Sequence, residues 1–345
     1  MNKTLIVLAT AALFAGTAAA QSSVTLFGIA DLSARGVKNG SAGSQKQLAS
    51  GGLATSRWGL RGVEDLGDGL SARFHLEAAV NPDTGLNEAP KFWGRRSTVG
   101  LAGRFGELRL GRDYNPTAMN TFDEPFGLVG VGTIGNFTYA GSAALGSGAT
   151  TVLRNDNSFA YFLPSKLGGI YGSAMVAAGE GVAGNKGAGG RIGYAAGPLD
   201  VGAAFFKTET ASNTDYDQSN IKAIYKFGFA SLNFLYDTKK FGSLKRKMTM
   251  IGTTIPFGQS EIRAAYATNN HSGGAAGSGF ANADDSKLMA LGYVYNLSKR
   301  SAMYATVSRI TNDGAARASV SNAPPAGMLG GEKSSGYEFG LMHRF

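Results

Sequence analysis

The stretch Leu70-Ser-Ala-Arg-Phe-His-Leu-Glu-Ala-Ala-Val80 alternates with a period of two. Leu70, Ala72, Phe74, Leu76 and Ala78 share one face, and Ser71, Arg73, His75 and Glu77 share the other. Successive side chains of a strand point to opposite faces, so this is a strand with one apolar and one charged surface. In a soluble sandwich the apolar face is the core. In a membrane barrel it meets lipid, and the charged face lines water. The preceding stretch, Ser56 to Glu64, repeats the pattern with Trp58 and Leu60 opposite Arg57 and Arg61.

Working outward, the connections between such strands sort into two sets. Short ones fall at 65–69, 103–106, 164–169, 197–198, 227–228, 256–259 and 297–300. Long ones, rich in Gly, Ser, Asn and Asp, fall near 36–52, 81–91, 115–155, 179–188, 209–216, 240–244, 270–285 and 311–334. Seven short and eight long connections predict sixteen antiparallel strands, with tight turns at one end and larger loops at the other. A sandwich has no reason to sort its loops this way.

Composition agrees but decides less. Fifty-one glycines, nine prolines, 20 Phe and 13 Tyr suit many short strands and tight turns, as would a secreted β-solenoid or a lectin-like sandwich. The first twenty residues read as a secretory leader: Lys3, an apolar core from Leu5 to Ala15, and Ala18-Ala-Ala20 as a cleavage site. The mature chain, 21–345, shows no linker and reads as one domain. With no cysteine there is no disulfide framework, thiolate metal site or cysteine nucleophile. No apolar run after the leader approaches the roughly 18–20 residues of a spanning helix. The net charge of +9 is spread singly along strands, apart from Lys245-Arg-Lys247, which reads as a strand end at a membrane rim. A nucleic-acid binder would cluster its bases, so nucleic acid is not an expected partner.

One connection is unlike the others. Between Gly111 and Asn157 the chain carries Asn115-Pro116, Glu124-Pro125 and many glycines, which interrupt strand and helix alike. It also carries Met119, Phe122, Phe126, Leu128, Val131, Ile134, Phe137 and Tyr139. That is too apolar for a solvated loop, so we expect it to fold into the lumen and narrow it, rather than lie outside. At the other end of the chain, Tyr337, Phe339, Leu341 and Phe345 share one face, interrupted by His343. A closed barrel must pair this last strand with its first.

These residues carry a family likeness. The hairpin Ser56-Arg-Trp-Gly-Leu-Arg-Gly-Val-Glu-Asp-Leu-Gly-Asp-Gly-Leu-Ser-Ala-Arg-Phe-His-Leu-Glu77 resembles the second hairpin of the general porins of betaproteobacteria. So do Val99-Gly-Leu101 with Phe105-Gly106, Leu110-Gly-Arg112, the turn Leu297-Ser-Lys-Arg-Ser301 and the ending Gly340-Leu-Met-His-Arg-Phe345. Asp68 and Met342 depart from the usual glycine and basic residue. The resemblance implies an outer-membrane homotrimer of sixteen-stranded barrels, a third external loop in the pore, contact with lipid and lipopolysaccharide, and insertion by the outer-membrane assembly machinery. Trimer contacts are expected at the first and last strands and the loop near 81–91.

A diffusion channel needs fixed charge at a wet constriction, and neither cofactor nor metal. The candidate acids are Asp123 and Glu124 on the inserted loop and Glu77 on the strand. The candidate bases are Arg57, Arg61, Arg73, Arg95, Arg96, Arg109 and Arg154. By the resemblance, Arg57, one or both of Arg95 and Arg96, and Arg154 match the family's arginine cluster. Acids opposite arginines predict a transverse field, and the surplus of bases an anion preference. Parity poses a problem at Arg95: with Val99 and Leu101 outward, Arg96 points in and Arg95 out, unless a bulge re-aims it or it snorkels at the rim. Phe345 is the expected assembly signal. A solute-specific channel for phosphate, a carboxylate or a sugar stays open as the alternative. An enzyme is disfavoured, because none of His75, His271 and His343 has a serine at a spacing that strand geometry would join.

Overall fold

The computed structural model describes residues 23–87, 91–138, 144–212 and 214–345. The leader expected over residues 1–20 lies outside them, as does Tyr139. The strands are β1 (Ser23–Asn39), β2 (Ser44–Ser50), β3 (Arg57–Gly67), β4 (Leu70–Asn81), β5 (Leu86–Asn87), β6 (Arg96–Gly103), β7 (Gly106–Tyr114), β8 (Arg154–Phe162) and β9 (Ile170–Ala177). They continue as β10 (Gly187–Ala196), β11 (Leu199–Thr208), β12 (Tyr216–Lys226), β13 (Ser231–Phe241), β14 (Leu244–Phe257), β15 (Ser260–Ser272), β16 (Ser286–Asn296), β17 (Ser301–Asn312) and β18 (Ser334–Arg344).

Among the described residues all eighteen belong to one sheet, and β1 pairs with β18 to close it. The two-residue β5 and the short β2 are side branches, so sixteen strands form the wall, as expected. Closure runs from Ile29 opposite Arg344 to Asn39 opposite Ser334. Gly28 and Phe345 add a reciprocal pair of backbone hydrogen bonds at 3.0 Å. A closed sheet leaves no edge, the condition for crossing a bilayer with strands. Outward side chains such as Val24, Leu26, Val99, Phe205, Ile221, Phe339 and Leu341 stand well exposed. An apolar band of that extent belongs against lipid.

The strand ends differ from expectation in three places. β1 runs on to Asn39 because its outer half pairs with β2, from Leu32 opposite Ser50 to Lys38 opposite Ser44, while its inner half pairs with β3. The region near 36–52 is therefore mostly hairpin. The connection near 240–244 is only a two-residue turn, because β13 and β14 stay paired out to Phe241 opposite Leu244. Lys245–Lys247 accordingly lies within β14, and Arg246 points inward, fully buried.

The described parts of the long insertion, 115–138 and 144–153, pack inside the barrel. Asn115 caps the first of two short helices, α1 (Pro116–Thr121), the second being α2 (Gly135–Thr138): the Asn115 side chain accepts from the Ala118 N–H, and Pro116 opens the helix where no N–H is needed. Further on, Val131, Ile134 and Phe137 are buried against Leu235, Met248, Met250, Leu288 and Ile310 of the inner wall. Each such side chain contributes roughly 1.5–3 kcal/mol by leaving water, which is why the loop lies on the wall and not outside. Pro125 approaches so closely at Gly252 that a side chain there would displace it.

Candidate functional site

Because the loop packs along β9–β18, with α1 against β9–β12, the open part of the lumen faces the remaining wall, β3 to β8. That wall carries the arginines. In the register of β3, β4, β6 and β7, Arg57, Arg61, Arg73, Arg96 and Arg109 fall on the inward face with Glu77 and Glu107. Arg95 joins them. It precedes the first residue of β6, so strand parity does not govern it; its N–H binds the Glu77 carbonyl at 3.2 Å and its guanidinium turns inward. The expected alternatives of bulge and snorkelling are both replaced by this simpler geometry.

Two polar networks order these side chains. In the first, Glu77 Oε1 accepts from Arg95 Nε at 2.5 Å and lies 3.7 Å from Arg57 Nε. Arg95 Nη2 donates to the Tyr114 hydroxyl at 3.1 Å, and Arg154 Nη2 donates to the same oxygen at 2.7 Å. The Arg154 guanidinium also sits 4.3 Å over the Tyr114 ring, a cation–π contact. In the second, Arg109 bonds both Glu107 (2.8 Å) and Asp113 (2.6 Å), with Arg73 and Arg96 at 3.7 and 3.6 Å from the same two acids. Arg61 stands apart, 5.3 Å from the Phe27 ring.

Five wall arginines, Arg57, Arg73, Arg95, Arg96 and Arg109, thus share three acids, Glu77, Glu107 and Asp113, and Arg61 is a sixth wall cation that pairs with none of them. Arg154 adds a seventh cation. Arg35, Arg95 and Arg154 line a cavity of about 300 Å³ whose far side is loop backbone from Gly127 to Thr133.

The loop acids do not stand opposite this cluster as the sequence led us to expect. Glu124 is 5% exposed, and its carboxylate accepts from Phe126 N–H, Leu128 N–H and Thr133 Oγ1. It folds the loop and does not line the lumen. Its bond to Leu128 offsets the left-handed backbone there (φ 60°), which is costly for a leucine. Burial pushes the Glu124 carboxyl above its ordinary range, against the pull of those donors. Asp123 is engaged elsewhere: Lys222 Nζ bonds it at 2.5 Å and also bonds Asp200 at 2.8 Å.

Several functional groups escaped the sequence reading. Glu107 and Asp113 share the parity of Arg109, so their inward direction was legible. Tyr114, which joins Arg95 to Arg154, carried no signal. Nor did two of the tethers that hold the loop. Glu338 accepts from the Val131 N–H at 3.1 Å while paired with Arg35, and buried Arg246 donates to the Phe137 carbonyl at 3.2 Å while paired with Asp237. Phe345 lies on the outer face, over Gly28, where any side chain would collide with its ring.

Comparison with known proteins agrees with this geometry. A family model described as Gram-negative porin matches residues 4–315. The chain is 37% identical to outer membrane porin protein 32 of Delftia acidovorans and 29% identical to an outer membrane porin protein of Bordetella pertussis, in each case over the whole of both chains. Among solved structures it is similar to the anion-selective porin from Comamonas acidovorans, with a TM-score of 0.82 and 32% identity over 94% of this chain and 100% of that one. The chain belongs to the family of Gram-negative porins, outer-membrane β-barrels that form passive channels.

Proposed function

We propose that this porin passes anions in preference to cations, and that Arg57, Arg95 and Arg154 set the preference at the gap between wall and loop. The observation that carries the reading is the charge count on the β3–β8 wall: seven cations there face three acids, and both loop acids are engaged elsewhere. At a few ångströms, with an effective dielectric between surface and bulk water, each charge is worth about 1–4 kcal/mol to a passing ion. Salt in a wet pore screens that field over about 8–10 Å, so the preference is moderate. The Comamonas relative is an anion-selective porin, which supports the same direction. Nothing in this mechanism needs a catalytic group. The test is a set of single substitutions, Arg57→Ser, Arg95→Ser and Arg154→Ser, each read by zero-current potential in a potassium chloride gradient. Each should lower the chloride-to-potassium permeability ratio; an unchanged ratio in all three rejects the assignment.

The assembly we propose is a homotrimer. Family membership supports it, as does an outward cluster beside the 81–91 loop: Trp58, Phe92 and Trp93, with ring centroids 4.8–6.2 Å apart. Phe92 is 51% exposed. Packing, rather than a hydrophobic drive, must hold barrels together in lipid, and aromatic clusters pack well. A heat-modifiable trimer in mild detergent is expected; monomers by light scattering in several detergents contradict it.

A further inference from the structure

A second group of charges lies further round the wall, on β8–β12, where Phe162 carries the Arg109 guanidinium 4.1 Å over its ring, and the selectivity reading leaves it unused. α1 and its continuation present Met119 and Asp123, four residues apart, to a recess of about 500 Å³ walled by Phe162, Tyr171, Arg191 and Lys222. Arg191 is the unusual member. Among the described residues it has no ion pair, and its guanidinium rests 4.6 Å over the Tyr171 ring. Its Nε is buried without a hydrogen-bond partner, and so is the hydroxyl of Ser173, directly opposite it on β9. Both residues line the recess, and these two atoms lie just beneath its surface, so the bonding of Arg191 is left incomplete on the side away from Tyr171.

The opposite charge is in the same recess but held off from Arg191. The Tyr171 hydroxyl donates to Asp200 at 2.7 Å, so the phenol ring separates the arginine from that acid. Lys222 serves both Asp200 and Asp123. One ammonium between two carboxylates leaves one negative charge in surplus, and Arg191 leaves one positive charge. Ordinary ion pairs would have collapsed these onto each other. Here they stay apart, with Phe162 and the Met119 thioether as apolar walls.

We propose that this recess is a binding subsite for a small zwitterion with an apolar side chain, that is, an α-amino acid such as phenylalanine. The outer guanidinium nitrogens of Arg191 take the carboxylate in charge-assisted bonds. The free oxygen of Asp123 takes the ammonium group. Phe162, Tyr171 and Met119 take the side chain. A simple anion gains Arg191 but meets the surplus carboxylate, and a simple cation meets the reverse. The subsite does not depend on which ion the arginine gap prefers.

The experiment uses purified wild-type protein in planar bilayers, with phenylalanine added to one side and the open-channel current analysed for concentration-dependent block and noise. Half-saturation is expected at millimolar concentration, a weak site of the kind a channel must have to release its solute. Phenethylamine and 3-phenylpropionate, each lacking one charge, should bind at least fivefold more weakly. Arg191→Gln and Asp123→Asn should each weaken phenylalanine by about tenfold, the scale of one charged contact. Arg191→Lys, which keeps the charge but loses the planar stack, should fall between. Zero-current potentials and heat-modifiability of the same variants separate loss of the subsite from loss of selectivity or fold. No block by phenylalanine up to about 100 mM overturns the subsite. Equal binding of 3-phenylpropionate, untouched by Asp123→Asn, overturns the zwitterion assignment.

Discussion

The Tyr114 hydroxyl accepts a hydrogen bond from Arg154 at 2.7 Å while its ring lies 4.3 Å beneath the same guanidinium. The same oxygen accepts from Arg95, and the ring meets Phe122 of the loop edge-on at 4.7 Å. One side chain therefore fixes two cations and braces the loop against them.

Replacing Tyr114 by Phe keeps the ring and removes the acceptor. Both arginines remain charged, and lumen water can solvate them, so stability should fall by no more than about 1 kcal/mol. Selectivity should shift less than in Arg154→Ser, while the spread of open-channel currents widens as the guanidinium groups move. Single-channel recording checks both; a selectivity loss as large as that of Arg154→Ser would mean the hydroxyl itself contacts the ion.

The loop fold depends on Glu124. Glu124→Ala leaves two N–H groups and one hydroxyl without their acceptor in a buried turn, each costing roughly 1–3 kcal/mol. The wall pairs elsewhere and should still close. The expected phenotype is a folded barrel with a higher, noisier single-channel conductance, seen in bilayers alongside normal β-sheet circular dichroism. A conductance equal to wild type would show that the loop holds its place without this carboxylate.

Phe345→Ala should reduce the amount of folded barrel in the outer membrane without reducing secretion. Its ring covers Gly28 where the last strand meets the first, so its loss uncovers the seam. Quantifying folded protein in isolated outer membranes, by its heat-modifiable band, decides this. Normal assembly would free Phe345 of the role.

The wall was readable in the sequence because one face met lipid and the other water, which imposes a period of two. That rule placed Arg57, Arg61, Arg73, Arg96 and Arg109 correctly. It failed at Arg95, where the chain has not yet entered the strand, and at Lys245–Lys247, where pairing extends beyond the expected rim. The loop's burial was legible from its apolar content. Its acids were not: Asp123 and Glu124 are neighbours with equal charge, yet one reaches Lys222 on the wall and the other turns back to its own backbone. Which of these happens depends on the path of the turn from 122 to 133, fixed by long-range contacts with Gly252, Glu338 and Arg246. Tyr114 was hidden for the same reason, since its partners come from three separate places: Arg95 before β6, Phe122 in the loop and Arg154 at the start of β8.

The zero-current potential of the wild-type channel across a potassium chloride gradient tests the central claim most directly. With seven cations against three acids on the β3–β8 wall, chloride should carry more of the current than potassium, and the preference should decline as salt shortens the screening length from about 10 Å at 0.1 M towards about 3 Å at 1 M. A potential of the sign set by potassium, at low salt, would contradict the assignment of the arginine wall to the constriction.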